Sequence, residues 1–81
     1  MRQLHEIARE INLTWENLSP HARPYVSAMS TLRTVHDLYG LDGGDEIVAR
    51  FLANAGSWRG DVARRVKAEL NAALKSIPGY H

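Results

Sequence analysis

The chain has 81 residues and a formal net charge of +1, with 44% hydrophobic and 23% charged residues. These values are typical of a globular chain, and the length allows one domain that spans residues 1–81. Cysteine is absent, which excludes a disulfide framework, a thiolate zinc site and a cysteine nucleophile. No stretch approaches the roughly 20 apolar residues that span a bilayer, and charges interrupt residues 2–13, so we expect a cytoplasmic protein without membrane contact.

The first predicted element is an amphipathic helix over residues 2–13. Its apolar residues recur about every three or four positions, as one face of a helix requires, at Leu4, Ile7, Ala8 and Ile11. Trp15 extends this face, and Arg2 and Glu6 have the spacing of an ion pair on the polar face. Because a residue before proline avoids helical geometry, we expect the helix to end at Thr14 or within residues 17–20.

A second helix is predicted to begin near Ser19, which is a favourable N-cap and precedes a proline suited to the first helical position. Pro24 must lie within the first turn, or the helix begins later. The predicted buried face consists of Tyr25, Val26, Met29 and Leu32. Weak helix formers follow, so residues 35–39 are expected to form an irregular or separate short helix that Gly40 ends.

Two more helices are predicted in the second half of the chain. Asp42 can cap the third helix, with Asp45 and Glu46 in its first turn, and Ser57 can cap the fourth. Residues 78–81 are expected to be a frayed tail. No segment alternates as a strand does. The sequence therefore predicts an all-α fold, a compact bundle of about four helices with a C-terminal helical hairpin.

The segment Ile47–Leu70 also has the outline of a helix-turn-helix, because two amphipathic helices meet at the glycine-containing turn 55–57. If the helix after this turn entered the major groove, Arg59, Arg64 and Lys67 would contact phosphates or base edges. The alternative is a plain helical hairpin with a solvated basic face. Glycine at the turn fits both interpretations.

Trp15 and Trp58 both lie on predicted apolar faces, where each would bury a large area as an anchor of the core. An exposed tryptophan would instead be the leading contact residue for a protein partner, because tryptophan and arginine dominate such contacts. On that hypothesis the partner-binding residues are Trp58, Arg59 and Arg64.

No pattern in the sequence indicates catalysis, a cofactor or a metal. None of the histidines has the spacing of a metal site with another histidine or a carboxylate, at His5, His21, His36 or His81. The acidic residues 42–46 lack the arrangement of a calcium-binding loop. The chain also lacks a phosphate-binding loop and a nucleophile elbow. We therefore expect a protein that is not an enzyme, with no catalytic residue, cofactor or metal.

One pattern in the second half of the chain is distinctive. It consists of FLANA at residues 51–55, WRG at 58–60 and ARRVKAEL at 63–70, and Ile7–Ala8, Trp15 and Pro24–Tyr25 accompany it in the first half. Together these segments resemble a family of small helical proteins encoded by tailed bacteriophages. The resemblance implies a phage protein that acts in the cytoplasm of a bacterial host by binding a host protein. It assigns no catalytic or binding residue.

Three hypotheses for the function remain at this point. The first is a small non-enzymatic interaction module that binds a host protein or a second copy of itself. The second is a helix-turn-helix protein that binds DNA through the helix after Ser57, and the third is a structural role through self-association. A continuous basic ridge on the fourth helix would favour DNA, whereas an exposed apolar patch centred on Trp58 would favour a protein partner.

Overall fold

A computed structural model describes residues 2–79 of the chain, so the predictions for His81 and for the last two residues of the tail lie outside the described residues. Within this range the helices are α1 (Leu4–Thr14), α2 (Arg23–Met29), α3 (Gly44–Ala53) and α4 (Asp61–Lys75). Two short antiparallel strands, β1 (Leu38–Tyr39) and β2 (Asp42–Gly43), form a hairpin immediately before α3. The prediction of a mostly helical fold with four helices is confirmed, whereas the prediction that no strand forms is wrong.

One cluster of buried side chains draws on all four helices. Helix α2 packs against α1 and α3, and α3 packs against α4. The largest fully buried side chains are Phe51, Ile7, Ile11, Met29, Leu70, Val26, Val48 and Val66. In residues 2–79 no polar or charged side chain is buried, so the core depends on apolar packing. No helix in this part of the chain has the length and apolar character needed to cross a membrane.

Helix α1 agrees with its predicted range, and its apolar face is buried as expected. Helix α2 begins at Arg23, later than predicted, because the carbonyl of Ser19 accepts the backbone N–H groups of Ala22 and Arg23 in a separate turn. Pro24 is the second residue of α2, where its missing N–H costs no helical hydrogen bond. Pro24 therefore lies in the first turn of α2 and does not bend the helix.

The predicted short helix over residues 35–39 is wrong, because the chain forms a hairpin there. Leu38 pairs with Gly43 and Tyr39 with Asp42, which leaves a two-residue turn at Gly40–Leu41. Gly40 has a φ of 63°, and a positive φ at the first position of a two-residue turn is the geometry that glycine allows and that suits a twisted hairpin. The backbone geometry that Gly40 allows in the turn therefore favours a hairpin over a helix in this segment.

The start of α3 differs from the prediction because Gly43, and not Asp42, is its N-cap. Backbone carbonyl groups of the preceding loop, and not a capping side chain, accept the first N–H groups of α3. Gly44 N–H donates to the carbonyl of Asp37 at 2.7 Å, and Asp45 N–H donates to the carbonyl of Val35 at 3.0 Å. Asp45 and Glu46 lie in the first turn as predicted, where the helix dipole favours carboxylates.

Helix α4 begins at Asp61, so the prediction that Ser57 caps it is wrong. Residues 54–60 form an irregular connection that carries Trp58 into the core. Gly60 is the N-cap, with a φ of 108° that a residue with a side chain rarely adopts. The tryptophan and this glycine therefore delay the helix beyond the start that its periodicity indicates.

An ion-pair network joins the start of the described chain to α4. The Arg2 guanidinium donates to both carboxylate oxygens of Glu69, at 3.1 Å from Nε and 2.6 Å from Nη2, and pairs with Glu10 at 2.7 Å. Arg65 also pairs with Glu10. The predicted pair between Arg2 and Glu6 is absent among these residues, because Glu6 instead accepts the backbone N–H of the N-cap residue.

Hydrogen bonding within this network shifts the pKa of Arg2, Glu10 and Glu69. The bond from Arg65, followed by that from Arg2, lowers the pKa of Glu10. The bond from Arg2 lowers the pKa of Glu69 and raises the pKa of Arg2 itself. Arg2, Glu10 and Glu69 therefore remain charged over a wider pH range than they would in an unfolded chain.

Candidate interaction surface

The tryptophans predicted as core anchors are both buried, with 6% of Trp15 and 4% of Trp58 exposed, and this prediction is confirmed. Their rings are stacked, with centroids 5.3 Å apart and planes 8° from parallel. Phe51 meets the Trp58 ring edge-on at 6.5 Å. These three rings form what we call the aromatic cluster. The Trp58 side chain therefore has little area left for a partner.

The cationic residues proposed for partner or DNA contact are not grouped into one basic ridge. Arg59 is exposed in the connection before α4, and Arg64 is exposed but forms an ion pair with Asp61. Lys67 is half-buried, and its Nζ donates to the carbonyl of Trp58 at 2.7 Å. The connection of residues 54–60 is also longer than the turn of about three or four residues in a helix-turn-helix.

A shallow groove of about 380 Å³ lies beside the aromatic cluster. Its walls are residues 14–17 at the end of α1 and residues 57–59 before α4, so it brings Trp58 and Arg59 together. Arg64 and Lys67 are not part of its lining. The predicted partner-binding residues are thus divided between this groove and the surface of α4.

The exposed apolar surface of the described chain lies elsewhere. Leu38 is 70% exposed, Tyr39 46% and Leu41 102%, and all three belong to the hairpin between α2 and α3. We call these three residues the hairpin patch. Among the described residues, Leu13 near the end of α1 is the other large apolar residue that is exposed, at 73%. Large apolar residues that are exposed together on one short segment mark a contact surface, whereas apolar residues scattered singly over a surface do not.

The loop before the hairpin holds it in place through backbone bonds. The Asp37 carboxylate accepts the backbone N–H of Arg33 at 2.9 Å and that of Thr34 at 3.4 Å, and these bonds lower the pKa of Asp37. Val35 anchors the loop in the core, with 6% of its surface exposed. Gly44 allows α3 to approach closely, because a Cβ there would lie 2.8 Å from the Thr34 carbonyl oxygen. The hairpin is therefore fixed without burying its own apolar side chains.

Two free carboxylates flank the hairpin patch. Among residues 2–79, Asp42 and Asp45 make no ion pair and no hydrogen bond through their carboxylates, and Glu16 is the third such residue. The remaining carboxylates are engaged, at Glu6, Glu10, Asp37, Glu46, Asp61 and Glu69. The segment 34–46 contains four acidic residues and no lysine or arginine. Asp37 and Glu46 are paired with Arg33 and Arg50, so the negative charge left uncompensated beside the patch within residues 2–79 is that of Asp42 and Asp45.

A small apolar pocket of about 200 Å³ lies between the start of α1, the loop before the hairpin and the end of α4. Arg2, Arg33 and His36 contribute to its wall beside apolar residues such as Val35. No group of three potential metal ligands is present among the described residues. The pocket thus offers a cationic rim but no arrangement that indicates a bound metal.

Comparison with known proteins adds no relationship to this geometry. No family model matches the chain, and no significant match is found among curated proteins or among solved structures.

The hairpin patch was missed by sequence reasoning, which predicted an irregular or separate short helix over residues 35–39. The available signal was the segment Leu38–Asp42, in which glycine separates short apolar runs, as in a two-residue hairpin turn. Its strands have two residues each, too few to show an alternating pattern.

Proposed function

We propose that the protein is a small non-enzymatic interaction module that binds another protein through the hairpin patch. The observation that carries the proposal is the exposure of Leu38, Tyr39 and Leu41 on one hairpin in a domain whose other large apolar residues, Leu13 apart, are buried or half-buried among residues 2–79. Because backbone hydrogen bonds hold the hairpin in place, its backbone loses little entropy on binding. The apolar area of the leucine and tyrosine side chains favours contact with protein. The patch replaces Trp58 as the centre of the proposed contact.

The four helices serve as the scaffold in this proposal. We further propose that they form a bundle whose last two helices make a C-terminal helical hairpin, and that this bundle presents the patch. The resemblance to small proteins of tailed bacteriophages supports a host protein in the bacterial cytoplasm as the partner. Arg59 and Arg64 would then contribute to the rim of the contact only if the partner extends beyond the patch.

The DNA-binding alternative receives less support. Arg64 and Lys67 have partners within the protein. Arg59, the third cation of the proposed set, lines the same groove as the acidic residue Glu16. Binding that depends on several phosphate contacts weakens steeply with salt. Micromolar, salt-dependent affinity for duplex DNA in a fluorescence anisotropy titration would favour this alternative over the hairpin patch.

The proposal is tested by comparing three immobilised proteins exposed to the same bacterial lysate. They are the unaltered protein, the double variant Leu38→Ser/Leu41→Ser and the control Leu13→Ser, which removes an exposed leucine outside the hairpin. We expect a specific protein to be retained by the unaltered protein and the control but lost by the double variant. Retention of the same proteins by all three would contradict binding through the hairpin patch.

A further inference from the structure

We propose that the surface recognised by the hairpin patch is a protein surface whose apolar side chains are flanked by lysine or arginine. This inference rests on the proposed function and specifies the chemistry of the partner. It is carried by the juxtaposition of the exposed apolar side chains with the free carboxylates of Asp42 and Asp45 on the same hairpin and at the start of the following helix.

The apolar side chains supply the affinity in this arrangement. Leu41 is fully exposed at the turn, and Leu38 lies on the adjacent strand with 70% of its surface exposed. Burial of such side chains contributes about 25 cal/mol for each Å² of apolar area removed from water. Because backbone bonds to α3 already fix the loop below the hairpin, little ordering remains to oppose binding.

The carboxylates select the partner. Asp42 lies opposite Tyr39 in the hairpin, and Asp45 follows three residues later in the first turn of α3. Both are half-buried and make no ion pair within the described chain, so a cation brought by a partner would find them unoccupied. Charge complementarity at the rim of an apolar contact chiefly raises specificity and the rate of association.

The same charges disfavour the other occupants of an apolar patch. A symmetric dimer through the hairpin would use the same surface on both copies and bring the Asp42 and Asp45 carboxylates of both copies into one interface. Like charges that face each other across an interface oppose association. Nucleic acid and anionic membranes carry negative charge as well. A basic protein surface is the occupant that the charges favour.

The inference is tested with three synthetic amphipathic peptides that share the same leucine positions. The polar positions are all lysine in the first peptide, all glutamate in the second and all glutamine in the third. Binding to the full chain is measured by fluorescence anisotropy, and the contact is mapped from changes in amide chemical shifts. We expect the lysine peptide to bind at least tenfold more tightly than the glutamate peptide, with shifts confined to residues 33–46 and weaker affinity at higher salt.

Variants of the protein separate charge from apolar contact. Asp42→Asn and Asp45→Asn should each weaken binding of the lysine peptide about two- to fivefold, the range expected for one exposed ion pair. Glu16→Gln is the matched control, because it removes a free carboxylate outside the hairpin, and it should leave the affinity unchanged. Since Asp45 also faces the dipole of α3, thermal unfolding verifies that its variant is folded, and Asp42→Asn carries the test if it is not.

Equal affinity for the lysine and glutamate peptides, shifts outside the hairpin, or no binding of any peptide would overturn the inference. A dimer in sedimentation that disappears in Leu41→Ser would also overturn it and identify a second copy as the occupant. The proposed function fails separately, because it is judged by lysate proteins lost with the Leu38→Ser/Leu41→Ser variant. A captured protein that binds through an acidic surface would uphold the function and contradict the inference.

Discussion

The aromatic cluster and the hairpin patch both include residues from connections between helices. The Trp58 side chain in one connection is buried, whereas the side chains of the hairpin patch in the other are exposed. Trp58 lies between α3 and α4 and is 4% exposed, whereas Leu41 lies between α2 and α3 and is 102% exposed. The first connection has no regular backbone pairing and is held by the buried indole. The second contains a hairpin with backbone bonds to the start of α3, so the three side chains of the hairpin patch are not needed for the fold.

This difference separates residues that stabilise the protein from residues that are available to a partner. Changes in the aromatic cluster should reduce the free energy of unfolding, and changes in the hairpin patch should not. The four predictions that follow are ordered by the expected loss of stability. If the last one failed, the distinction between stabilising residues and residues available to a partner would not hold.

The largest effect is expected from Trp58→Ala. Removing a buried tryptophan leaves a cavity beside Trp15 and Phe51, and such substitutions cost about 3–5 kcal/mol. The measurement is the free energy of unfolding from urea denaturation. A domain of this size has only about 4–12 kcal/mol of stability, so a loss as large as that of Trp58→Ala can unfold it. Trp58→Phe is therefore the second variant, with an expected cost of about 1–3 kcal/mol. A loss below about 0.5 kcal/mol in both variants would contradict the role of Trp58 as a core anchor.

The role of Trp58 was predictable, whereas its location in a connection was not. Apolar spacing gives the buried face of a helix but does not say where the helix begins. The apolar spacing that fits the buried residues Val66 and Leu70 also extended the predicted helix back to Ser57. In the structure α4 begins only after Gly60, the N-cap, whose φ of 108° is not helical.

The second prediction concerns the close approach that positions the hairpin. Gly44→Ala would place its Cβ 2.8 Å from the Thr34 carbonyl oxygen and 3.1 Å from the Cα of Val35, so backbone must move. We expect a loss of about 1–3 kcal/mol, as for other overpacked sites, together with amide shift changes in the hairpin. Gly56→Ala is the matched control, because a Cβ there meets no atom within 4 Å. Equal stability of the two variants would contradict tight packing at Gly44.

The third prediction uses the ion pair between Arg2 and Glu69. The folded-state pKa of Glu69 lies below its unfolded value, so the pair stabilises the fold above the ordinary glutamate pKa of about 4.3 and loses this effect as the pH falls through the lower folded value. Glu69→Gln should cost about 1 kcal/mol at neutral pH because the pair is partly exposed. Its difference from the unaltered protein should shrink on acidification.

Urea denaturation of both proteins as a function of pH measures this effect. Glu16→Gln, which removes a carboxylate without a partner among residues 2–79, should change the stability by less than about 0.5 kcal/mol at every pH. A difference for Glu69→Gln that is the same at acidic and neutral pH would contradict the contribution of the ion pair.

The ion pairs show how far spacing along one helix predicts contacts. Arg2 and Glu6 have the spacing of a helical pair, yet Arg2 lies before α1 and reaches across to Glu69 on α4. A partner on another helix can present two oxygens to one guanidinium, which favours it over a single contact along the same helix. The hairpin patch escaped prediction for the same reason, since only the tertiary structure shows that the fold leaves Leu38 and Leu41 uncovered.

The smallest loss of stability is expected for Leu41→Ser. The side chain is 102% exposed, so its removal takes away no buried area, and the free energy of unfolding should change by less than about 0.5 kcal/mol. Urea denaturation at two protein concentrations measures the change. A loss above about 1 kcal/mol that grows with concentration would mean that Leu41 is buried in a complex between copies, because association stabilises the folded state by mass action. An unchanged stability together with lost partner capture would assign Leu41 to recognition and leave the fold to the aromatic cluster.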